Sequence, residues 1–527
     1  MTPLQIANNK IKDLEIQKYN FKNELKIQKE YYENELKIQK EYYENRLSKF
    51  EQQFDILINE VIRLNKKVEN LEKENIMLKN EVARLQEEND KLNGKICKNS
   101  TNSGISSSKD ENVKKINHRK KSDKKQGGQK GRKGKTLTVE AVEKLIKDND
   151  VEVTEENYGD LTSKETVVKY ILDVVTKVKI RKIVIHGKQD DVLNTDIPIE
   201  CLGNSSVVYG NNIKVLVGIM AEEEVIAVDR MTEFIEILTN HKLRISHGSI
   251  INWIKSLSKK CKKVIKKIIQ KIVKSKVIYT DGTNTKVNGK KAYIRNYSTD
   301  TFTVYKACRT KTKKEIGKHN ILNRFTLYIM HDHETGLYFF GIRDNHLECW
   351  IHLGRDLLYF QENIESIWSK QMWEFGWNIK IKREELKEKE IYSFNKEEIF
   401  EYEKQYDEIL ERGFIENSKC TSKYFKSKEK SLLNRLVKYK TQYLNFIKDF
   451  SLPFDDNLSE RDLRPTKTKK KVSGGHRSYE GLKDYCNIRS IISSCKKQCI
   501  DYYQVLKDIM DNKAVCVTSE GIQIPTK

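Results

Sequence analysis

The chain is 527 residues long, more than a single hydrophobic core usually supports, so we expect two or three globular units joined by extended pieces. Its formal charge of +23 favours a polyanionic partner such as nucleic acid, although a general preference for lysine would produce the same excess. The longest apolar run, at 215–220, is far too short to span a membrane, and ten cysteines without a CxxC pair fit reduced thiols, so we expect a soluble intracellular protein.

A heptad pattern occupies the end of the first segment, residues 1–93, which contains no Gly and only Pro3. From residue 57 every d position is Leu, while the a positions are Val or Asn. Val at a with Leu at d favours two strands, and Asn at a pairs best with its own copy in a parallel, in-register dimer. A long solvated helix without a partner is the alternative. The contacts of the predicted parallel homodimeric coiled coil are Leu57, Leu64, Leu71, Asn75, Leu78, Leu85, Asn89 and Leu92.

The next segment, residues 94–136, is rich in Asn, Ser, Gly and Lys, which is typical of a flexible linker. Between residues 109 and 135 it carries twelve Lys or Arg against three Asp or Glu, and the glycines of GGQKGRKGK let the backbone approach a phosphate chain. A merely solvated linker would have the same composition. If the segment is a basic tether that orders on DNA, its contacts are Lys120, Lys121, Lys130, Arg132 and Lys133.

Residues 137–275 are predicted to form a small, mostly helical DNA-binding region. A short helix is expected at 139–147. The stretch 166–185 alternates apolar and polar residues, as two strands of a hairpin do. One face of this hairpin would present Lys177, Lys179 and Arg181 to DNA.

The block from 211 to 260 predicts helices separated by a turn. The helical pattern breaks at 241–245, and Ser246 then caps a second helix. The second helix of such a pair can enter a DNA major groove, here with His247 and Asn252 near its leading end. An ordinary helical hairpin would show the same pattern.

Acidic residues stand at the ends of two predicted strands within 276–345. The apolar run KVIYT leads to Asp281, and two further strands, a polar helix and the strand RFTLYIM follow before Asp332. Strand, strand, strand, helix, strand with acids on the first and fourth strands is the plan of a ribonuclease-H-like sheet. In that plan the two acids are neighbours.

The two carboxylates predict a site for Mg²⁺ or Mn²⁺. Carboxylates brought together at strand ends repel one another unless a hard cation lies between them, and Mg²⁺ prefers carboxylate, water and phosphate oxygens. Such a site, with two metals about 4 Å apart, activates the attacking oxygen and stabilises the leaving oxygen of a phosphoryl displacement. From the spacing alone, both acids could also be solvated turn residues.

A helical insertion is predicted at 346–450, followed by the rest of the catalytic core at 451–512 and a C-terminal tail at 513–527. Within the second part, FDDNLSERDLR and the VSGGHRS after it resemble the C-terminal signature of transposases of the insertion-sequence 66 family. In that signature an Asn precedes the catalytic Glu by three residues and an Arg follows it. The resemblance therefore implies that Glu460 is a third catalytic acid.

Other motifs extend this resemblance over most of the chain. TDGTNTKVNGK and MHDHETGLYF are similar to the family's first and second Asp segments, and HLECWIHLGRDL is similar to a Cys, His and Arg motif, here Cys349, His352 and Arg355. The coiled coil, the GGQKGRKGKTL stretch and YGNNIKVLVGIM also look like family features. The resemblance implies a DDE transposase whose catalytic and metal-binding residues are Asp281, Asp332 and Glu460.

Two features depart from the family pattern. Family members usually carry paired CxxC motifs that bind zinc, but no Cys lies between 97 and 201, so we predict no zinc site. Gly282 stands where the family usually has Glu directly after the first Asp. That Glu is not thought to bind the metal, so activity is not excluded.

The resemblance implies a bacterial cytoplasmic, nucleoid-associated enzyme. Its expected fold is an α/β catalytic core, ribonuclease-H-like with a mixed sheet and a helical insertion, plus the coiled coil and the DNA-binding region. A homodimer or larger assembly would bind the inverted ends of its own element, nick them with Mg²⁺-activated water, and let the freed 3′-hydroxyl attack double-stranded target DNA. Accessory proteins of the same element could take part. The positive charges expected to contact DNA near the catalytic acids are Arg355, Arg461, Arg464, Lys467, Lys469 and Arg477.

Some alternatives stay open at this point. A repurposed, non-catalytic DNA-binding protein would keep the coiled coil and the tether, and a nuclease would use the same core without strand transfer. Gly474 and Gly475 could offer free amides to a phosphate, or simply form a turn between helices.

Overall fold

A computed structural model describes residues 57–98, 139–148, 152–155, 176–182 and 207–523, and single residues at 29, 32, 35, 37, 38, 40, 102, 170 and 172. The chain divides into two compact units, Met1–Leu92 and Asn93–Lys527. The predicted DNA contacts of the tether lie outside the described residues: Lys120, Lys121, Lys130, Arg132 and Lys133.

The first unit contains most of α1 (Leu57–Ile96), an uninterrupted helix of 40 residues. It covers all of the predicted heptads, and no Gly or Pro interrupts it before Gly94. The side chains of Leu57 and Leu64 lie outside the described part of the chain. Five of the remaining a and d side chains are at least half exposed: Val68, Leu71, Leu78, Val82 and Leu85.

Among the described residues after α1, the helices that precede the sheet are α2 (Val139–Lys147), α3 (Asn211–Glu222), α4 (Val228–Leu238) and α5 (His247–Ile272). The predicted break and cap between α4 and α5 are confirmed, since the Ser246 hydroxyl accepts a hydrogen bond from the Ser249 N–H at 3.1 Å. Apolar side chains of α3, α4 and α5 pack into one small cluster, which includes Val217, Met231, Ile235 and Ile250.

The predicted hairpin at 166–185 is wrong for the residues that the structure describes there. Residues 176–182 form no strand. Ile180 is 86% exposed, and Lys177 forms an ion pair with Glu152 at 2.6 Å. Alternation of apolar and polar residues stabilises a strand only when one face is covered, and here the apolar side chain of Ile180 meets solvent.

Six strands form one mixed sheet. They are β1 (Val277–Tyr279), β2 (Gly282–Val287), β3 (Lys290–Ser298), β4 (Thr303–Cys308), β5 (Tyr328–His331) and β6 (His346–Glu348). The third strand, β3, runs antiparallel to β4 on one side and to β1 and β2 on the other. On the far side of β1, β5 lies parallel to it, and β6 lies parallel to β5.

The first two strands are two parts of one line. Tyr279 pairs with Ser298 and Gly282 pairs with Arg295, so β1 and β2 share one register against β3. The line is interrupted at residues 280–281. Asp281 therefore follows the end of β1, as predicted, and lies in a two-residue break before β2 continues the same line.

A second correction concerns β6. The sequence placed 346–348 at the start of the helical insertion, but these residues pair with β5 and belong to the sheet. Three residues are too few to show a strand periodicity, so only the partner strand reveals their role. The insertion proper consists of α7 (Trp350–Ile364), α8 (Ile367–Glu388), α9 (Lys396–Lys419), α10 (Lys423–Lys438) and α11 (Lys440–Lys448).

The insertion has its own aromatic core, which includes the fully buried Trp350, Trp368, Tyr406 and Tyr443. A short helix, α6 (Lys313–Gly317), lies between β4 and β5 in the chain. The chain then continues through α12 (Asn457–Ser473), α13 (Tyr479–Lys497) and α14 (Tyr502–Met510). The predicted tail contains a small hairpin, β7 (Cys516–Val517) and β8 (Ile522–Gln523).

The helices α5, α12 and α13 pack against the antiparallel strands of the sheet. Apolar residues of α5 and α13 join those of β4 in the largest core cluster, which includes Leu257, Val304 and Ile491. In a separate, smaller cluster, Leu463 of α12 packs with residues of β3 and α13. In the described parts of the chain, no helix is long and apolar enough to cross a membrane.

Candidate active site

The register of the sheet brings the first two predicted acids together. β1 and β5 are parallel neighbours, and Tyr279 is paired with Met330. Continuing that register by two residues sets position 281 opposite position 332, with Asp281 in the strand break and Asp332 directly after β5. Ends of parallel strands are common binding sites in α/β sheets, because the chain leaves the ladder there and frees its side chains.

Asp281 is fixed by a buried asparagine on the neighbouring strand. The Oδ1 of Asn296 accepts a hydrogen bond from the Asp281 N–H at 2.9 Å, and its Nδ2 donates to the Ser459 carbonyl at 3.3 Å. The Ser459 hydroxyl donates back to Asn296 Oδ1 at 3.0 Å. Ser459 directly precedes Glu460, so Asn296 ties the first and third predicted acids to one strand.

The Asp332 carboxylate is held in an unfavourable state. Its Oδ1 is buried and has no hydrogen-bond partner among the described residues. Burial, followed by the negative charge of Asp281, raises the pKa of Asp332 above its usual range. A cation between the two carboxylates would relieve this repulsion.

Glu460 lies in the first turn of α12, where two cationic side chains of α7 meet it. His352 Nε2 and Arg355 Nη1 lie 3.2 Å and 3.3 Å from Glu460 Oε1. The His352 hydrogen bond, against the opposing effect of burial and with help from Arg355, lowers the pKa of Glu460 to about 2. Burial would lower the pKa of His352, but Cys349 and Glu460 raise it to about 11.

A fourth acid, Asp456, lies beside these three. It is 1% exposed, and neither carboxylate oxygen has a hydrogen-bond partner in the described chain. Its backbone N–H donates to Cys349 Sγ at 3.2 Å. Burial, then the charges of Cys349, Asp281, Asp332 and Glu460, raise the pKa of Asp456 well above its usual range. Asp281 and Asp332 follow neighbouring parallel strands, and Asp456 and Glu460 lie at the start of α12; we call these four residues the acidic cluster.

A polar network lies behind Asp332. Glu348 Oε1 accepts hydrogen bonds from His333 Nδ1 at 2.8 Å and from the Tyr338 hydroxyl at 2.5 Å. Burial works against ionisation of Glu348, but these two bonds and the nearby histidines lower its pKa to about 2. Next to it, a cavity of about 170 Å³ is lined by Asp332, Glu348, His352 and Arg355, among others. The second acid therefore borders an open space.

Residues 221–484, half of the chain, match the family described as Transposase IS66 family. The chain belongs to this family. The resemblance found in the sequence is thereby confirmed, and the matched range contains all four acids.

A shorter match exists to a protein of Sinorhizobium fredii described as "Uncharacterized protein y4jO". The two are 34% identical over 77 residues, which is 15% of this chain and 24% of that protein. The chain thus spans about a quarter of this relative's length, and the match adds no activity.

The three acids predicted to bind a metal, Asp281, Asp332 and Glu460, are not all positioned to bind one ion. In the described ranges, no group of three or more His, Cys, Asp and Glu side chains is placed to hold a metal ion. Glu460 is engaged by His352 and Arg355, which explains why a three-acid set is not assembled. The side chains present still fit a hard cation, because Asp332 and Asp456 together leave three buried carboxylate oxygens without a donor.

Most of the basic residues predicted to contact DNA beside Glu460 are exposed, namely Arg461, Arg464, Lys467 and Arg477. Lys469 is a correction. Its ammonium group forms a buried ion pair with Glu222 and donates to the Ala221 carbonyl at 2.8 Å. The Lys469 side chain is 12% exposed, so it joins α12 to α3 and does not face DNA.

The two glycines after α12 form a turn, in which the Gly474 amide donates to the Lys470 carbonyl at 3.0 Å. Gly474 ends the helix with φ of 69°, a left-handed conformation that suits glycine. At Gly475, a Cβ atom would lie 2.5 Å from the Lys286 carbonyl oxygen. The next amide, of His476, donates to that same carbonyl at 2.8 Å. The turn therefore extends the edge of β2.

The departure at Gly282 has a structural counterpart. A Cβ at this position would lie 3.1 Å from Arg295 Nη2. Both carboxylate oxygens of Glu334 lie 2.6 Å from the same nitrogen, and the Arg295 side chain is almost fully buried. Glu334 thus neutralises the Arg295 guanidinium beside Asp281. This guanidinium therefore needs no second acid at position 282.

Proposed function

We propose that this chain is a DDE transposase in which Asp281, Asp332 and Glu460 bind Mg²⁺ or Mn²⁺. The observation that supports the proposal is the placement of the three acids: sheet register pairs the first two positions, and Asn296 contacts both the Asp281 amide and Ser459, next to Glu460. The strand order β4-β3-β1-β5-β6, antiparallel and then parallel, supports a ribonuclease-H-like assignment for the core.

Each side chain has a distinct task in the proposed reaction. When bound, Mg²⁺ supplies Lewis-acid activation of the attacking oxygen and neutralises charge on the phosphate. Asp281 and Asp332 hold it, and Glu460 completes the set from α12. His352 and Arg355 orient Glu460 and keep it ionised, since they stabilise its charged form. Arg355 also lines the cavity and can donate to a phosphate oxygen there.

Two successive displacements follow from this chemistry. Water attacks the phosphodiester at the element end and releases a 3′-hydroxyl, which then attacks a phosphodiester of the target DNA. No covalent protein intermediate forms. Exposed cations at the surface of α12 and beyond would hold the strands, namely Arg461, Arg464, Lys467 and Arg477, together with the tether.

We also propose a parallel coiled-coil homodimer through α1. The apolar a and d side chains of α1 remain half exposed, and a second copy would cover them. The division of the chain is then dimerisation at 1–93, a basic tether at 94–136, a DNA-binding region at 137–275, and a catalytic core at 276–348 and 451–512 around the helical insertion. We propose no zinc site in this chain, and zinc bound to the purified protein would contradict that prediction.

Cleavage of end-labelled element DNA in the presence of Mg²⁺ tests the proposed activity. Asp281→Asn should reduce cleavage about 10³-fold or more, because metal-based charge stabilisation is worth several kcal/mol and about 1.4 kcal/mol is tenfold in rate. Asp300→Asn, an exposed acid in the turn between β3 and β4, is the matched control and should cleave normally.

The products separate the alternatives. Joined products support a transposase, whereas cleavage without joining indicates a nuclease. DNA binding without any product, unaffected by Asp281→Asn, indicates a non-catalytic protein.

A further inference from the structure

The buried carboxylate of Asp456 has no role in the folding of its own helix. Asp456 is the N-cap residue of α12, a position where an Asp side chain commonly accepts a hydrogen bond from an amide of the first turn. Here the side chain makes no such bond, and both oxygens are buried without a donor in the described chain. Helix capping therefore does not explain why an acid occupies this position.

Asp456 lies close to the elements that carry the other acids. Asn296, which accepts a hydrogen bond from the Asp281 N–H, also contacts Ser459, three residues after Asp456. The Glu460 N–H donates to the Asp456 carbonyl at 3.1 Å, so the two residues lie one helical turn apart at the same end of α12. A buried carboxylate without hydrogen bonds is costly, and such groups in proteins are usually paired or coordinate a metal.

Contacts from both sides fix the backbone at Asp456. Its N–H donates to Cys349 Sγ, at the junction of β6 and α7, and the Phe454 carbonyl accepts from the Trp350 N–H at 3.2 Å. On the other side, Asn296 holds Ser459. The elements that carry the catalytic acids thus also place Asp456.

We propose that Asp456 is a fourth carboxylate of the divalent-cation site and that Cys349 is the residue that positions it. This inference rests on the proposed function, since it assigns further residues to the same site. Cys349 acts through the Asp456 amide, and its sulfur is not itself a ligand. The proposal also gives a role to the Cys of the Cys, His and Arg motif, whose His and Arg contact Glu460.

Mn²⁺ binding to the full-length protein, measured by electron paramagnetic resonance without DNA, provides a test independent of activity. Asp456→Asn keeps the size of the side chain and should weaken Mn²⁺ affinity roughly tenfold or more, in the range seen for supporting groups of metal sites. The matched control is Asp455→Asn, an adjacent acid that is partly exposed and lies 3.9 Å from Lys380. It should change the affinity less than about twofold.

Cys349 has a corresponding pair of variants. Cys349→Ala removes the acceptor of the Asp456 N–H and should weaken Mn²⁺ binding, while Cys349→Ser retains an acceptor and should restore most of it. The rise in unfolding temperature caused by Mn²⁺ is measured for every variant, because it reports binding even when the variant is less stable. Equal Mn²⁺ responses in wild type and Asp456→Asn would overturn the inference.

The Asp281→Asn variant separates this inference from the proposed function. If wild type does not bind Mn²⁺, or if Asp281→Asn binds it like wild type, the proposed catalytic site itself is wrong. If Asp281→Asn loses binding and Asp456→Asn retains it, only the fourth carboxylate is wrong.

Discussion

The helix α1 and the acidic cluster depart from ordinary folded structure in opposite ways. Along α1, Leu and Val side chains at heptad positions are half exposed. In the acidic cluster, one carboxylate oxygen of Asp332 and both of Asp456 are buried without a donor among the described residues. Folded chains normally bury the first kind of group and expose or pair the second. Each region therefore lacks a partner of a different kind, an apolar surface in one and positive charge in the other.

The two regions therefore support two different proposals, dimerisation for α1 and cation binding for the acidic cluster. An exposed apolar row is satisfied by a second copy of the same helix, whereas a buried acidic cluster is satisfied by a cation. Substitutions in the two regions should accordingly act on different measurements. We expect the first region to control association and the second to control metal binding and catalysis.

The largest effect outside catalysis is expected in α1. The double variant Leu71→Lys/Leu78→Lys places two charges in the predicted seam, and losing two core leucines at about 2 kcal/mol or more each lowers the dimerisation constant about 10³-fold or more. Sedimentation equilibrium should show a monomer. Asn80→Lys, at an outward heptad position of the same helix, should leave the dimer intact. A double variant that remains dimeric would show that α1 does not hold the copies together.

The buried ion pair beside the acids should give a large effect on stability alone. Arg295→Met removes the close, buried cation of Glu334, leaves only the more distant Lys311 at 4.0 Å, and should cost about 3 kcal/mol of unfolding free energy. Arg295→Met/Glu334→Met removes both charges and should recover most of that loss. Urea unfolding of the three proteins measures this, and an Arg295→Met protein as stable as wild type would contradict the assigned pair.

Two lysines two positions apart on α12 should behave differently. Lys469→Met breaks the buried pair with Glu222 and should lower stability by about 3 kcal/mol. Lys467→Met, at an exposed position, should change stability by less than about 0.5 kcal/mol and reduce the salt dependence of DNA binding by about one unit in the log–log slope. Unfolding and binding titrations distinguish these outcomes. A reversal of the two results would restore the sequence-based assignment of Lys469 to DNA.

Strong local patterns made part of this fold predictable. The apolar runs before Asp281 and Asp332 identified the strand positions of both acids, and the Ser246 cap marked the start of α5. Of the six basic residues predicted to contact DNA near Glu460, Lys469 instead pairs with Glu222. The sequence shows the charge of this residue but not the direction in which its side chain points. On α12, Asp462, Thr466 and Lys469 follow helical spacing on the same side of the helix, which is buried at Asp462 and Thr466. This spacing in the sequence indicates that Lys469 faces the protein.

The remaining site residues depended on long-range contacts. Asn296 reads as an ordinary strand residue, and its role comes from a contact with Ser459, 163 positions away. Asp456 is one of two adjacent acids, and only burial separates it from Asp455. The strand β6 has three residues and is defined by its pairing with β5. None of these properties is encoded in local periodicity.

The location of a bound cation tests the central claim most directly. Anomalous X-ray diffraction from crystals grown with Mn²⁺ would locate it without reliance on activity. We predict a peak about 2.1 Å from carboxylate oxygens of Asp281 and Asp332, at the end of α12 that carries Glu460. Ordered Mn²⁺ elsewhere, with no peak between those two carboxylates, would contradict the proposed catalytic site.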